Sequence, residues 1–463
     1  MTAPGAPRSV SHAAPGDGRG GLEAVRALVN VGRRGEANAE LLALEPGLQG
    51  DARGLQAAGE VFLANARFDD ALRCYRRAAD LAPRDPGVLY NLASVLVACG
   101  DLVGAEHAYD QVVALDPLDG DACYNRATLR KWGTVDNHID QMTAAVARVR
   151  QPGAEAALCY ALAKEYEDLG DASAAWTWLA RGAARRRSLL SYKVEADLAT
   201  MTQIAQVFDA PTTACAATRP ASAGPVFVLG LPRSGTTLVD RILSAHSQVE
   251  SLGEISDFAL SLVRTVGPAV DKGDMVARSG RMDFERLGQA YRDSLTAYGR
   301  AAPMVIDKTP ANYLYIGLIA LSLPEARIVH VRRDPMDNGY ALFKTLFRTG
   351  CPYSYSQADL GQYIGAYHRL MAHWRDVLRG RMVEIDYEAL VEDQAGESRR
   401  LVEVLGLTWE PACLDFHANP APAATASAAQ VRRPIYRDSL SLWRRYEAEL
   451  APLAQSLKAQ GVA

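Results

Sequence analysis

The sequence predicts two architectures in one chain: an all-α solenoid of helical hairpins followed by an α/β domain built on a parallel sheet. Three observations predict it. The N-terminal part repeats itself at an offset of 34 residues, a Pro/Ala/Ser/Thr-rich stretch follows at 209–224, and short apolar runs then alternate with amphipathic segments. A fixed period of this size is the signature of stacked repeats, and apolar runs alternating with helical patterns read as parallel strands under helices.

The repeat is visible residue by residue. Ala71, Tyr75, Leu81 and Pro83 return as Ala105, Tyr109, Leu115 and Pro117, and Leu89, Tyr90, Asn91 and Ala93 as Cys123, Tyr124, Asn125 and Ala127. Apolar residues fall at helical spacing in two blocks per unit, parted by Asn65-Ala66-Arg67 in one and Gly100-Asp101 in the next. Ala71 and Ala105 suit the close approach of two helices, and Pro83 and Pro117 the break after the second. This pattern resembles the tetratricopeptide repeat. About four units are expected over residues 22–190, with Ala37 34 residues before Ala71 and Gly170 and Ala175 70 after Gly100 and Ala105. The outer units are degenerate, as capping repeats tend to be. Such an array offers a concave surface for a protein partner, or serves as a scaffold packed on the other domain; shape does not decide between them. The basic run at 181–187 reads as a solvated helix face.

The expected organisation is a disordered leader at 1–21, a helical repeat domain at 22–208, a linker at 209–224 and the α/β domain at 225–463. The leader is rich in Gly, Pro, Ala and Ser and lacks the apolar block of a secretion signal. No stretch approaches the ~20 apolar residues of a membrane span. Lys plus Arg number 50 against 54 Asp plus Glu, a net charge of −4 with 22% charged and 49% hydrophobic residues, so a bulk nucleic-acid binder is disfavoured. The seven cysteines, at 74, 99, 123, 159, 215, 351 and 413, nowhere form Cys-x-x-Cys, which argues against disulfide and zinc frameworks. A reducing, cytoplasmic setting is expected.

Strands are expected at 226–229, 304–306, 327–331 and 382–385. The first runs through Gly230-Leu231-Pro232-Arg233-Ser234-Gly235-Thr236-Thr237 into a helix at 239–245. In such a turn backbone N–H groups converge on an anion, the helix dipole favours negative charge, and hydroxyls add donors. Gly230 and Gly235 keep the Gly-x-x-x-x-Gly frame and Thr237 its hydroxyl, but Thr236 stands where a nucleotide triphosphatase needs Lys. The positive charge is inside the loop, at Arg233. An ordinary ATPase, GTPase or kinase is therefore disfavoured, the more so without a convincing strand-end Asp for magnesium.

Together these residues resemble the sulfotransferases, and within them the tyrosylprotein sulfotransferases and the bacterial proteins that join tetratricopeptide repeats to a sulfotransferase domain. The resemblance implies 3′-phosphoadenosine 5′-phosphosulfate as sulfuryl donor, with no metal. It makes residues 232–238 the 5′-phosphosulfate loop, with Pro232, Arg233, Ser234, Gly235, Thr236 and Thr237 as donor contacts. Gly253-Glu254 lies 21 residues after Arg233, so Glu254 is the candidate general base, needed within hydrogen-bond reach of the acceptor hydroxyl. His246 is the competing base, read as structural from its place after the loop helix. Lys308, in Asp307-Lys308-Thr309-Pro310 at a strand end, is the candidate cation for the transferring group. Arg333, in Arg332-Arg333-Asp334-Pro335, would pair with the 3′-phosphate, a geometry guanidinium suits. Ser427 and Arg432, or Arg433, belong to a loop over the nucleotide, and Tyr387 lies near the adenosine or packs in the core. The family's serine eight residues after Arg333 is Ala341 here, leaving Lys344 or Tyr340 to substitute, and Leu442 replaces the basic residue before Trp443.

The resulting expectation is an enzyme moving sulfuryl to a hydroxyl, with protein or peptide tyrosine as the leading acceptor, since a phenol near pKa ~10 suits a carboxylate base. A small-molecule or glycan hydroxyl is the other acceptor class, and a catalytically weak nucleotide-binding adaptor, with a partner on the repeats, is the alternative. Dimerisation is left open.

Overall fold

A computed structural model of the chain describes residues 19–213, 224–299 and 302–462. The expected leader thus lies outside the described residues up to position 18, and the expected linker over 214–223. Two compact units divide the chain. One takes the residues up to Leu190 together with Lys344–Pro352 and Pro420–Gln430; the other takes Ser191–Phe343, Tyr353–Asn419 and the residues from Val431 on. The helix Val194–Val207, expected with the repeats, is grouped with the second unit.

The first unit is built of antiparallel helical hairpins: Ala52–Ala64 with Phe68–Leu81, Pro86–Cys99 with Leu102–Leu115, and Pro152–Leu169 with Ala172–Ser188. Local chemistry sets their ends. Asp85 accepts the N–H groups of Gly87 and Val88 with Pro86 in the first turn, and Asp101 and Asp171 cap the second helices by accepting from Gly104 and Ala174, each cap being worth about 1 kcal/mol. The residue that turns the chain recurs 34 positions apart in the left-handed region: Gly32 at φ 75°, Ala66 at 58° and Gly100 at 89°. Ala37, Ala71 and Ala105 are wholly buried, as expected where paired helices meet. The recurring asparagine also has a reason. Asn91 Nδ2 donates to Gln56 Oε1 at 3.2 Å and Asn125 Nδ2 to Tyr90 Oη at 2.8 Å, each reaching 35 residues back. The ladder ties neighbouring hairpins together.

The second unit holds a parallel sheet, β1 (Val226–Leu229), β2 (Val249–Ser251), β3 (Met304–Asp307), β4 (Arg327–Arg332) and β5 (Met382–Asp386), in the order β2-β3-β1-β4-β5. Every pairing is parallel, with Val226 opposite both Ile306 and Arg327, and Ile328 opposite Met382. The four anticipated strands are present. The fifth, β2, has a single fully apolar position in three residues and gives no run to detect. Val226, Val228, Val329, Val331 and Ile385 form a core with Val239, Ile242 and Leu243 of the loop helix. Because the strands are parallel, the residues following each of them collect at one edge of the sheet. Gly230 to Gly235 follow β1, Gly253-Glu254 follow β2, Lys308 follows β3, Arg333 follows β4 and Tyr387 follows β5. Ligands of open parallel sheets gather at this carboxyl edge, where the strand order reverses beside β1.

Candidate active site

The loop after β1 is held in a demanding conformation. Gly230 has φ 152° and Gly235 φ 106°, and a Cβ added at either would stand 2.5 Å from Val331 O or from the Tyr387 ring. Arg233 adopts φ 66°, a left-handed conformation that costs a side-chain-bearing residue about 1 kcal/mol. Two donors compensate it. Asn338 Nδ2 donates to Pro232 O at 3.0 Å and Arg333 Nη1 to Arg233 O at 2.9 Å. The loop enters the helix Thr236–Ser244, whose first N–H groups have no intrahelical acceptor. Ser234, Thr236 and Thr237 are buried, and among the described residues Ser234 Oγ has no hydrogen-bond partner. A buried hydroxyl of that kind is costly unless a ligand satisfies it.

At the ends of β2 and β3 the structure brings together Lys308 and Glu254, Nζ to Oε1 at 2.7 Å, with their side chains 1% and 16% exposed. The backbone joins them too, since the Lys308 N–H donates to Gly253 O at 3.0 Å and Thr309 Oγ1 to Ile255 O at 2.8 Å. Asp240 nearby is buried, and burial raises its pKa against the opposing pull of Lys308 and a hydrogen bond with Ser251. Asp307 is likewise buried, accepting from Tyr291 Oη and Asn312 Nδ2, each at 3.2 Å. Burial pushes its carboxyl up to about 7.

Behind the loop runs a buried relay. His330 Nδ1 lies 2.9 Å from Glu384 Oε1 and its Nε2 2.6 Å from Tyr367 Oη, which hydrogen-bonds the Leu231 backbone in turn. With Leu231 N–H donating to the phenol oxygen, Tyr367 donates to Nε2 and the imidazole proton sits on Nδ1 facing the carboxylate. Burial lowers the pKa of His330. The backbone just before Pro232 is thereby fixed from the far side of the sheet.

At the ends of β4 and β5, Arg333 lies over the Tyr387 ring at 4.6 Å and donates through Nη2 to Ser439 O at 2.9 Å, while Tyr387 Oη and Ser439 Oγ are 2.9 Å apart. Tyr387 therefore packs against Gly235 of the loop and beside Arg333. Arg432 Nη1 donates to Asn419 O at 2.7 Å, a carbonyl it shares with Arg241 of the loop helix. Burial, then the neighbouring Arg432, lowers Arg241 to about 10. Ser427 is in the segment grouped with the first unit, its N–H on Thr425 Oγ1 at 3.1 Å.

Both residues suggested as substitutes for the missing serine have protein partners. Lys344 Nζ is bound to Glu167 Oε2 at 2.7 Å within the first unit, and Tyr340 packs its ring on Tyr446 at 5.0 Å. Ala341 is buried on the helix Pro335–Phe343, and Leu442 opens a 3₁₀ turn ending at Tyr446. His246 is 2% exposed. Its Nδ1 accepts the Gln248 N–H and its Nε2 donates to Thr408 O at 2.7 Å, so both ring nitrogens hold the chain after the loop helix. Sequence reasoning missed Asn338, Ser439 and Asp240. Asn338 carried a signal, lying five residues after Arg333 at the start of a helix; Ser439 had none, because only folding places it beside Arg333.

Among the described residues no group of three His, Cys, Asp or Glu side chains is arranged to hold a metal ion, and no helix is long and apolar enough to cross a membrane. Residues 225–411 match the model of the sulfotransferase family and residues 62–125 that of the tetratricopeptide repeat. An uncharacterized protein of Aquifex aeolicus (strain VF5) is 29% identical over 402 residues, 84% of this chain and 52% of its own length. The protein-tyrosine sulfotransferase of Drosophila melanogaster is 23% identical over 232 residues, 47% of this chain and 46% of its own length. The chain spans about half the length of these two curated relatives. A solved sulfotransferase domain from the curacin biosynthetic pathway is 16% identical, covers 50% of this chain and 99% of that domain, and has a TM-score of 0.32. With the strand-loop-helix cradle at the sheet's carboxyl edge and the hairpins before it, residues 225–411 belong to the sulfotransferase family and follow a tetratricopeptide-repeat region.

Proposed function

We propose that the protein transfers a sulfuryl group from 3′-phosphoadenosine 5′-phosphosulfate to a hydroxyl, with protein or peptide tyrosine as the acceptor. The observation that carries this reading is the loop after β1, in which a buried Ser234 hydroxyl without a partner, two left-handed residues and a helix N-terminus converge. The residues present fit the donor's 5′ side on that ground. The donor supplies a sulfuryl group already bonded to a phosphate leaving group. Ser234, Gly235, Thr236 and Thr237 hold the 5′ side, and Arg333, with Tyr387 against it, belongs to the nucleotide side. Glu254 accepts the proton of the acceptor hydroxyl as its oxygen bonds to sulfur. Arg233 and Lys308 offset the negative charge that develops on the bridging oxygen as the old S–O bond breaks, which lowers the barrier because that charge is greater in the transition state than in the ground state. The 2.7 Å ion pair orients the Glu254 carboxylate. Tyrosine as acceptor is supported by the ease of removing a phenolic proton with a carboxylate and by the name of the Drosophila relative.

Two measurements test this. The desulfated nucleotide 3′-phosphoadenosine 5′-phosphate should raise the melting temperature where ATP with magnesium does not; the reverse preference overturns the class. Glu254→Gln should keep that shift while transfer to tyrosine peptides falls by about 10²–10⁴-fold. Unchanged transfer removes Glu254 as base. Nucleotide binding without transfer to peptide, phenol or glycan acceptors establishes the adaptor alternative, which the replacement of two expected contacts by Ala341 and Leu442 favours.

A further inference from the structure

The segment Lys344–Pro352 joins the first unit from a distant part of the sequence. Alternate residues of it meet three helices of the first unit, in reverse order. Lys344 Nζ donates to Glu167 Oε2 at 2.7 Å on Pro152–Leu169. The Leu346 N–H donates to Tyr124 Oη at 3.0 Å on Gly120–Ala127. Arg348 Nη1 donates to Tyr90 Oη at 2.8 Å on Pro86–Cys99, with Asp121 3.7 Å from Nη2. The backbone is gripped as well, since Arg186 Nη2 donates to Arg348 O at 3.2 Å. Thr345, Leu346 and Phe347 are buried between these anchors, although residues 344–351 form neither helix nor strand.

Tyr90 and Tyr124 occupy one position of the repeat, 34 residues apart, so the row of acceptors is written into the repeat itself. Main-chain hydrogen bonds combined with pockets and charges for alternate side chains are how proteins recognise extended peptides. We propose that this row is the peptide-recognition surface of the repeats and that its ligand is the chain's own segment 344–352, held in cis. An outside peptide takes the row only by displacing that segment, and it must present the same pattern: two basic residues four apart around an apolar pair. The tethered segment acts at an effective concentration in the millimolar range, so the row is closed to weaker ligands.

Hydrogen exchange on the full chain tests the seating. In Tyr90→Phe/Glu167→Gln the amides of residues 345–351 should exchange at least about tenfold faster, with those of the helix Leu102–Leu115 unchanged as proof of folding. Rates equal to wild type in that variant, or full exposure already in wild type, overturn the proposal. A labelled peptide of residues 342–353 with serine at position 351 tests recognition. It should bind full-length Lys344→Ala/Arg348→Ala and not wild type, and a scrambled peptide should bind neither. Equal binding to both proteins, or binding to neither, overturns it.

Discussion

Ser234 and Asp307 show how single buried polar atoms separate stability from function. The Ser234 hydroxyl is buried without a partner in the ligand-free chain, so removing it relieves a desolvation cost. Ser234→Ala should leave the unliganded protein as stable or more stable by about 1 kcal/mol, while affinity for 3′-phosphoadenosine 5′-phosphate falls about tenfold. Thermal melts with and without nucleotide read both effects, and a loss of unliganded stability would show that the hydroxyl has a structural partner. Asp307 behaves in the opposite sense to a salt-bridged carboxylate. Burial raises its pKa from 3.8 to about 7, so its neutral form is favoured in the fold. The stability it lends is complete below the unfolded value and is lost as pH rises through about 7. Wild type should therefore lose stability between pH 5 and pH 8 by up to about 3 kcal/mol, and Asp307→Asn should flatten that slope. Melting curves across this window decide it; parallel slopes in the two proteins refute the assignment.

At the scale of elements, helix ends and strand cores were legible because the interactions that set them are local. Asp85 beside Pro86, Asp101 after Gly100, and the turn before Ser234 each act on backbone within a few residues. The turn position shows one local conflict. Ala66 sits at φ 58° where its 34-residue equivalents are glycines, and nothing but the Cβ opposes that conformation. Ala66→Gly should stabilise the repeats by about 0.5–1 kcal/mol, measured by chemical denaturation; a destabilised variant would mean that the Ala66 methyl contributes more by packing than it costs in strain. β2 was not legible, since Val249-Glu250-Ser251 has one buried apolar residue and becomes a strand only by pairing with β3. The relay from Glu384 through His330 and Tyr367 to Leu231 was equally hidden, its members being brought together by β4, β5 and the helix Gln357–Val377.

At the scale of the whole molecule, the chain enters the first unit three times, the second and third times as Lys344–Pro352 and Pro420–Gln430. Residues 224–462 produced alone would leave the buried Leu346 and Phe347 without the rest of the unit they are grouped with. That fragment should associate or precipitate where the full chain does not, as exposed apolar patches do, and size-exclusion chromatography of the two at equal concentration checks it. A monodisperse fragment would show that the segment refolds elsewhere. The sequence by itself determined the two architectures, the repeat period, four of the five strands and the glycine-framed turn after the first of them, because period, burial pattern and turn residues are properties of neighbouring positions. Only the tertiary structure decided that Glu254 and Lys308 form an ion pair, that Arg333 and Asn338 brace the loop's carbonyls, and that Lys344 pairs with Glu167. Those partners stand 54, 100, 106 and 177 residues apart, and a hydrogen bond across such a distance is fixed by how whole elements pack, which no local pattern records.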